Sequence, residues 1–514
     1  MMNDIHTCME MFLIQFCFPM SPDDDFWTNL TEMTQLRANQ RREARPNSYF
    51  AKQMPADRSL SIAEMKAFIG CRLYMEYSCQ RRAYRDYFCV NGKDFVIETP
   101  GFNSIFARDR FLAIWSFLHT VNELDPTLDK SDKIYKNRKM IDDLQEKFRN
   151  YFCAPFFLAL DEGMIPAKNR LAIKQYIPSK PIKWGIKSFL ICDSETGYIL
   201  GIIIYLGKED EPYKDLGATG NTVVRLLHKA NCAGKGHCVV MDRFYSSVLL
   251  AEHLYRIEKT YTVGTIRTDR KFYPKALVKR NGDRGDMDYL CVNNITAFVW
   301  IDRKPINFIS NYHNPTQVTT VDRKDKQGVS HQVPTFQAVK DYNTYMGGCD
   351  RNDQMARLHR TRKHYKWPRR LFMKSIMWAV YNAFILYKSS RTAADQKKVN
   401  FTDYVNDICR SLISDHRSAH IRKRRPSFES ERRLQNVGLH TPVFEDNVSK
   451  GHVCVVCQKK HHMYMVAHPG VSKQDNPCKS TKSCIKCSDC NAYLCVKRGS
   501  TCWTDYHTKK EFWR

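Results

Sequence analysis

The chain has 514 residues, of which 43% are hydrophobic, enough to form sizeable buried cores and too many for a largely disordered protein. Lysine and arginine total 81 against 54 acidic residues, giving a formal net charge of +27. An excess of this size favours a polyanionic partner, usually nucleic acid, because each neutralised phosphate releases counterions. No apolar run reaches the roughly 18 residues of a membrane helix, and the length predicts about three or four domains.

The most apolar segment is CMEMFLIQFCFPM at residues 8–20. It lacks a positively charged start and a small-residue cleavage site, so it predicts a buried amphipathic helix rather than the alternative, a signal peptide. The chain is therefore expected to be intracellular, with mostly reduced cysteines.

Residues 1 to about 150 predict helices separated by charged turns. In SLSIAEMKAFIGCRLYMEY, Ser61 and Glu64 form a capping-box signal ahead of an apolar pattern of helical period. The segment DRFLAIWSFLHTV predicts a second helix of the same kind. Both are interpreted as structural.

From about residue 156 the pattern changes to that of an α/β domain. FFLALD is a short apolar run, and IKSFLICDSETGYILGIIIYLG predicts two strands joined by a turn at 194–197. NTVVRLLHKA predicts a helix and GHCVVMD another buried strand, which together indicate a mixed sheet. Residues from about 270 to 336 predict a small β-rich insertion, and WPRRLFMKSIMWAVYNAFILYKSS then predicts a long helix.

Four aspartates have positions that suggest chemistry. Asp161 follows the apolar strand FFLAL, Asp242 follows HCVVM, and Asp350 and Asp353 come after the insertion. Carboxylates at the ends of buried strands lie where α/β active sites form, and a group of them needs a cation to offset their repulsion. Oxygen ligands suit Mg²⁺ or Mn²⁺, and two such ions support phosphoryl transfer. The alternative is ordinary strand-end and helix-start aspartates.

Basic and aromatic residues are interleaved between Arg357 and Lys374. Such a stretch can bind phosphates and stack on bases, although a solvated helix face is the alternative. Trp300, on a predicted strand of the insertion, is assigned to core packing, with a DNA-end contact as the alternative. The DNA-binding candidates are Arg360, Arg362, Lys363, Lys366, Arg369 and Arg370, with Lys180, Lys183 and Lys187 as weaker ones.

Eight of the 20 cysteines lie between Cys454 and Cys502, which marks a separate C-terminal module. Cysteine pairs at this spacing bind tetrahedral Zn²⁺, and two ions need about eight ligands. So small a module would need metal to fold, and disulfides are the alternative. Before it, the basic sequence HIRKRR, with Arg422 to Arg425, suits a nuclear import signal or a linker that touches DNA nonspecifically.

Four segments together resemble piggyBac-type transposases. LALDEGMIPAKNRLAIKQYIPSKPIKWGIKSFLICDSETGYI resembles the first catalytic block of that family, VVMDRFYSS the second and YMGGCDRNDQM the third. RKHYKWPRRLF resembles the segment after it, and the order and spacing of the blocks agree. The residue before the third aspartate is commonly valine in the family and is Cys349 here.

The resemblance implies an α/β multidomain protein with an RNase H-like mixed-sheet catalytic core. Asp161, Asp242 and Asp350 would bind two Mg²⁺ (or Mn²⁺) ions, with Asp353 as a fourth acidic residue. A flanking helical domain would bind DNA and dimerise, and the C-terminal module would be a cross-brace zinc finger that binds two Zn²⁺. The implied zinc ligands are Cys454, Cys457, Cys487, Cys490, Cys495, Cys502 and His507, with the eighth among Cys478, Cys484, His461, His462 and His468.

The predicted domains follow from the same resemblance. The helical domain would comprise residues 1–155 and 359–415, and the catalytic domain residues 156–268 and 337–358, separated by the β-rich insertion at 269–336. A basic linker at 416–450 would precede the zinc-binding domain at 451–510.

The function implied is cut-and-paste DNA transposition in the nucleus by a homodimer. The enzyme would cleave the transposon ends, form and reopen a hairpin, and join the ends to TTAA target DNA. The partner would be double-stranded DNA carrying terminal inverted repeats. Two alternatives stay open: a domesticated, sequence-specific DNA-binding protein without nuclease activity, and a zinc-dependent interaction protein such as a ubiquitin ligase.

Overall fold

The computed structural model describes residues 20–21, 24–77, 84–88, 102–167, 171–178, 180–208, 211–278, 282–325, 327–357, 366–417, 431–434, 438, 440–445 and 451–513. The chain divides into two compact units, Met1–His420 and Ile421–Arg514. The apolar N-terminal segment and the basic sequence HIRKRR lie outside the described residues, apart from Met20 at the end of the former.

The first unit begins with two short paired strands and a group of helices. The strands are β1 (Met20–Ser21) and β2 (Asp24–Asp25). The helices are α1 (Phe26–Ala44), α2 (Tyr49–Lys52), α3 (Ile62–Tyr77), α4 (Phe102–Ile105), α5 (Arg108–Phe117) and α6 (Arg138–Asn150).

Helix α3 starts at the predicted capping signal, but only half of the capping box forms. The Glu64 N–H donates to Ser61 Oγ at 3.1 Å. The Glu64 carboxylate accepts two 2.8 Å hydrogen bonds from the Arg110 guanidinium on α5 instead of returning to the cap. Glu64, in the first turn of α3, therefore joins α3 to α5 through a buried ion pair with Arg110.

The centre of the first unit is a nine-stranded mixed sheet. Its order is β4-β5-β3-β7-β8-β11-β10-β9, and β6 shares an edge of β5 with β4. The β3–β7 and β7–β8 pairs are parallel, and the other pairs are antiparallel. The strands are β3 (Phe157–Pro166), β4 (Lys174–Tyr176), β5 (Trp184–Asp193), β6 (Ile199–Ile204), β7 (Cys238–Met241), β8 (Tyr261–Thr265), β9 (Met287–Val292), β10 (Ile295–Ile301) and β11 (Pro305–Ser310).

Along the chain, two helices separate strands of this sheet. Helix α7 (Gly217–Lys229) precedes β7, and α8 (Val248–Arg256) connects β7 to β8. The Ser247 side chain caps α8 by accepting from the Leu250 N–H at 3.1 Å. The mixed sheet and the helix–strand alternation of the sequence prediction are thus present.

The segment predicted as an insertion extends the main sheet and adds a separate hairpin. Strand β11 pairs with β8, so β9, β10 and β11 continue the sheet. Strands β12 (Val318–Lys324) and β13 (Ser330–Phe336) form a two-stranded sheet of their own. Trp300 is buried and its indole N–H donates to the Pro334 carbonyl at 2.9 Å, which places its side chain in the core.

Five helices follow and return the chain to the first helical group. They are α9 (Gln337–Tyr345), α10 (Gly348–Met355), α11 (Trp367–Ser389), α12 (Ala393–Gln396) and α13 (Phe401–Arg417). Helix α13 packs along α3, and α11 packs on α6, α13 and β3. Helices from both ends of the unit therefore share one hydrophobic core with the sheet.

The second unit is small and starts before the predicted module boundary at 451. Strand β14 (Pro442–Phe444) pairs with β17 (Ile485–Cys487), and β15 (His452–Val453) pairs with β16 (Lys482–Ser483). Its helices are α14 (Val455–Ala467) and α15 (Cys502–Thr508). Part of the predicted 416–450 linker therefore belongs to the folded unit.

Across the described residues, every helix is either too short or too polar to cross a membrane.

Replacing Gly348 with alanine is expected to lower the free energy of unfolding by about 1–3 kcal/mol, the usual effect of overpacking. An added Cβ would lie 2.6 Å from the carbonyl oxygen of Asp193, the last residue of β5. Gly347→Ala is the matched control, because nothing lies within 4 Å of a Cβ there and its φ is −80°. Denaturant unfolding followed by tryptophan fluorescence compares the two, and equal midpoints would contradict tight packing of α10.

Candidate functional site: a carboxylate cluster and two cysteine–histidine groups

Asp161 and Asp242 lie on neighbouring parallel strands at the same level of the sheet. The parallel pairing of β3 with β7 ends at Leu160 opposite Met241, and each aspartate is the next residue. The sequence predicted Asp161 at the end of a strand, but β3 continues to Pro166 because β5 pairs along its full length. The parallel register therefore places the two aspartates next to each other, although β7 ends there and β3 does not.

Helix α10 brings the remaining two aspartates to the same strands. The Cys349 thiol, buried at the start of α10, donates to the Ala159 carbonyl at 3.3 Å, which fixes the helix against β3. Asp350 is exposed in the first turn of α10. The Asp353 carboxylate lies against β3, since a Cβ on Gly163 would be 3.2 and 3.3 Å from its two oxygens.

Two lysines offset the negative charge of this cluster. Lys180 Nζ lies 3.3 Å from Asp161 Oδ2 and 3.7 Å from a carboxylate oxygen of Glu162. Lys374 Nζ, buried on α11, lies 3.2 Å from Asp353 Oδ1 and donates to the Ala356 carbonyl at 3.1 Å. The sequence prediction did not include Lys374, which is 21 residues from Asp353 and lies beside it only in the fold.

Burial and neighbouring charges both change the pKa values of the acidic groups. Burial raises the pKa of Asp161 to about 7; Glu162 and Asp242 add to the rise, and the Lys180 ammonium opposes it. Burial also raises the pKa of Asp242, against a 2.8 Å hydrogen bond from the Phe244 N–H. Asp161 therefore loses its proton with difficulty unless a further cation is present.

Glu162 belongs to the same cluster. Its Oε2 accepts a 2.9 Å hydrogen bond from the buried Tyr245 hydroxyl, and its backbone carbonyl accepts one from Lys180 at 3.0 Å. These contacts hold Glu162 in place, so that it shapes the charge around Asp161.

The donor set fits a hard divalent cation. It consists of carboxylate oxygens, the ligands that Mg²⁺ and Mn²⁺ prefer. Among the described residues, no three of these carboxylates offer oxygens that all lie within 4.8 Å of one another. Lys180 provides the positive charge nearest to Asp161 in this arrangement.

The candidate DNA-binding residues fall into three groups: those outside the described residues, those that are exposed, and those whose side chains contact other parts of the protein. Arg360, Arg362 and Lys363 lie outside the described residues. Lys183 and Lys366 are exposed, whereas Lys187 is packed over the Phe189 and Phe244 rings at 4.6 Å. Arg369 donates to the Ser116 carbonyl.

Arg370 lies in the interior. It is 4% exposed and donates to the Pro166 carbonyl at 3.3 Å. The DNA contact predicted for Arg370 would need its side chain to leave this position.

The second unit contains two cysteine–histidine groups, one of four cysteines and one of two cysteines and two histidines. Within each group the ligand atoms all lie within 4.8 Å of one another. All seven implied ligands belong to them, and the eighth member is His440. The five residues considered for the eighth position belong to neither group. The groups are Cys454, Cys457, Cys495 and Cys502, and His440, Cys487, Cys490 and His507.

His440 was missed because it lies in the predicted linker, before the first cysteine of the module. Its Nδ1 lies 3.2 Å from the sulfurs of both Cys487 and Cys490. Strand β14 follows it directly and pairs with β17, which ends at Cys487. A histidine just ahead of a short apolar strand, PVF, was the available signal.

Residues 18–384 match the protein family described as Transposase IS4. The chain belongs to this transposase family, and to its piggyBac type. It is 26% identical over 367 residues to human (Homo sapiens) PiggyBac transposable element-derived protein 3, a match over 70% of this chain and 60% of that relative. Human PiggyBac transposable element-derived protein 5 is 23% identical over 377 residues, covering 69% and 68% of the two chains.

The fold is also that of a solved piggyBac structure. A cryo-EM structure of the piggyBac transposase synaptic complex with hairpin DNA matches with a TM-score of 0.67 at 21% identity. The match covers 95% of this chain and 94% of the other. The mixed α/β architecture is therefore shared with this transposase.

Replacing Asp161 with asparagine is expected to stabilise the metal-free protein at pH 8. A raised folded-state pKa means that the ionised carboxylate destabilises the fold above about pH 7, and this effect disappears towards pH 4. Because the side chain is 25% exposed, the gain should be about 1–2 kcal/mol at pH 8 and should shrink as the pH falls to 5. Thermal unfolding of the zinc-loaded chain without added Mg²⁺ or Mn²⁺ measures it, and a gain independent of pH would contradict the raised pKa of Asp161.

Replacing His440 with alanine is expected to reduce bound zinc from two ions to one per chain. His461→Ala is the matched control and should retain two, because His461 lies outside both groups. Metal analysis of the purified proteins counts the ions. Equal zinc content in the two variants would remove His440 from the ligand set.

Proposed function

We propose that this protein is a cut-and-paste DNA transposase. The observation that carries the proposal is the adjacency of Asp161 and Asp242 on parallel strands, with α10 fixed to the same strand by Cys349. Membership of the piggyBac-type transposase family supports it. On this proposal the sheet is an RNase H-like core, and Asp161, Asp242 and Asp350 form the metal-binding triad.

The residues around the triad would have distinct tasks. Two bound Mg²⁺ or Mn²⁺ ions would supply Lewis-acid stabilisation of the attacking and leaving oxygens in phosphoryl transfer. Lys374 holds Asp353 in place, and Tyr245 holds Glu162. Lys180 is positioned to keep the carboxylates together and to contact a phosphate of the bound strand.

The remaining parts of the chain would bind and recognise DNA. The exposed Lys183 and Lys366 would contact phosphates, as would the basic residues 360–363. The two cysteine–histidine groups would bind Zn²⁺ and fold the second unit as a cross-brace module for terminal repeats. Hairpin formation, TTAA target joining, dimerisation and action in the nucleus belong to this proposal.

A DNA-binding protein without nuclease activity is the second candidate. It is favoured by the position of Lys180, whose ammonium lies 3.3 Å from Asp161 and 3.7 Å from Glu162 and so balances their charge without a metal ion. The names of the human relatives, which are transposable element-derived proteins, agree with it. The two candidates differ in one measurable property, metal-dependent strand cleavage.

The deciding experiment incubates the full chain with DNA carrying both genomic flanks of its coding region. Wild type and Asp215→Asn should cleave this DNA in Mg²⁺, while Asp161→Asn and wild type in EDTA should not. Asp215 is exposed in the 3₁₀ turn Lys214–Leu216, outside the strands of the sheet, so the control makes the same charge change elsewhere. Cleavage is read on denaturing gels, and binding by mobility shift.

Specific binding of these flanks without cleavage in Mg²⁺ or Mn²⁺ would contradict the transposase proposal and support the second candidate.

A further inference from the structure

A basic pocket lies in the first unit and shares no lining residue with the carboxylate cluster. Its volume is about 330 Å³, at the lower end of the range for small-molecule sites. Four cationic side chains and a single carboxylate line it: Arg37, Lys136, Lys366 and Arg369, and Glu123. They come from α1, from the loop that connects α5 to α6, and from the start of α11.

The one carboxylate of the basic pocket is already engaged. Glu123 accepts from Arg37 at 2.8 Å and from Lys136. Within the described part of the chain, Lys366 and Arg369 have no carboxylate within 4 Å, and Arg369 contacts only the Ser116 carbonyl by hydrogen bonding. The pocket therefore keeps an excess of positive charge.

The titration of these groups agrees with the charge imbalance. Lys366 is exposed as a whole residue, but partial desolvation at the pocket, together with the cations Arg369 and Arg37, lowers its pKa to about 8. Burial lowers the pKa of Arg369 to about 10. Since both shifts disfavour the charged forms, an anion in the pocket would stabilise the charged side chains.

A buried amide in the pocket wall has unused hydrogen-bonding capacity. Asn137 lines the pocket and is 2% exposed. Its Oδ1 has no hydrogen-bond partner among the described residues. Its Nδ2 donates to no described group either, so the amide keeps a donor that an anionic oxygen can use.

We propose that the basic pocket binds a phosphate group. Arginine and lysine side chains around one concave site, with an amide donor in its wall, match the charge and the acceptor oxygens of a phosphate. The group can come from a DNA backbone or from a soluble phosphate ester, which share this chemistry. The inference stands on the pocket alone and holds whether or not the protein cleaves DNA.

The test uses pyrophosphate as the probe and isothermal calorimetry with the full, zinc-loaded chain. Wild type should bind it saturably with one site in the first unit, and Lys366→Met should weaken binding about tenfold, the effect of losing one charge-assisted contact. Arg37→Met should act in the same direction. Lys388→Met is the matched control, because it removes the same charge from the other end of α11, about 33 Å away at 1.5 Å per residue.

Adding duplex DNA then identifies the source of the phosphate. Displacement of pyrophosphate by DNA assigns the pocket to the DNA backbone, and simultaneous binding assigns it to a soluble phosphate ester; either supports the site. Equal weakening by Lys366→Met and Lys388→Met, or no saturable binding by a wild type that melts normally, would overturn the proposal. Thermal melts of all variants separate lost binding from lost folding.

Discussion

The candidate site depends on the parallel pairing of β3 with β7, which holds two carboxylates side by side. Like charges at neighbouring positions repel, and burial strengthens the effect because water no longer screens it. The pKa of Asp161 is raised mainly by burial and further by Glu162 and Asp242, so the fold bears both the desolvation and the repulsion of this carboxylate. The stabilisation comes from elsewhere: residues Leu158 to Leu160 of β3 are fully or almost fully buried in the main hydrophobic core. A well-packed strand thus carries an electrostatically unfavourable residue near its middle, where two half-buried positions, Asp161 and Glu162, separate two buried stretches.

The second unit follows the opposite logic. Its core is small, with few buried aliphatic side chains beyond Val456, Ile485 and Leu494. Buried cysteines at this density need metal to hold the surrounding loops together. Arg433 adds to this from the predicted linker: it donates to the carbonyls of Lys509 and Lys510, just beyond α15. A residue far upstream in the chain therefore holds the segment that follows the C-terminal end of α15, the helix that carries Cys502 and His507.

The local features of this fold could be predicted from sequence, and the long-range ones could not. Apolar periodicity located α3, α11 and the strands around Asp161, because the spacing of apolar residues within a short stretch of sequence indicates which positions of a helix or strand are buried. The continuation of β3 beyond Asp161 depends on pairing with β5, which the local pattern does not encode.

The same distinction holds for the site residues. The family resemblance supplied seven members of the two cysteine–histidine groups, whereas His440 reaches Cys487 only through the β14–β17 pairing. Basic residues near a helix start were predicted to face DNA, yet Arg370 points inward, since a charge pattern does not tell which face of a helix is buried. The family resemblance supplied the aspartates in order, but Lys374 follows only from the packing of α11 on β3.

Helix α11 connects the two halves of the proposed chemistry. Its start contributes Lys366 and Arg369 to the basic pocket, and Lys374, further along the helix, binds Asp353. A helix rises 1.5 Å per residue, so Lys366 and Lys374 are held roughly 12 Å apart along its axis. Because α11 is buried along most of its length, this distance changes little. An anion held at the start of α11 would therefore be kept at a set distance from the carboxylate cluster, and any movement of the helix would be felt at both sites.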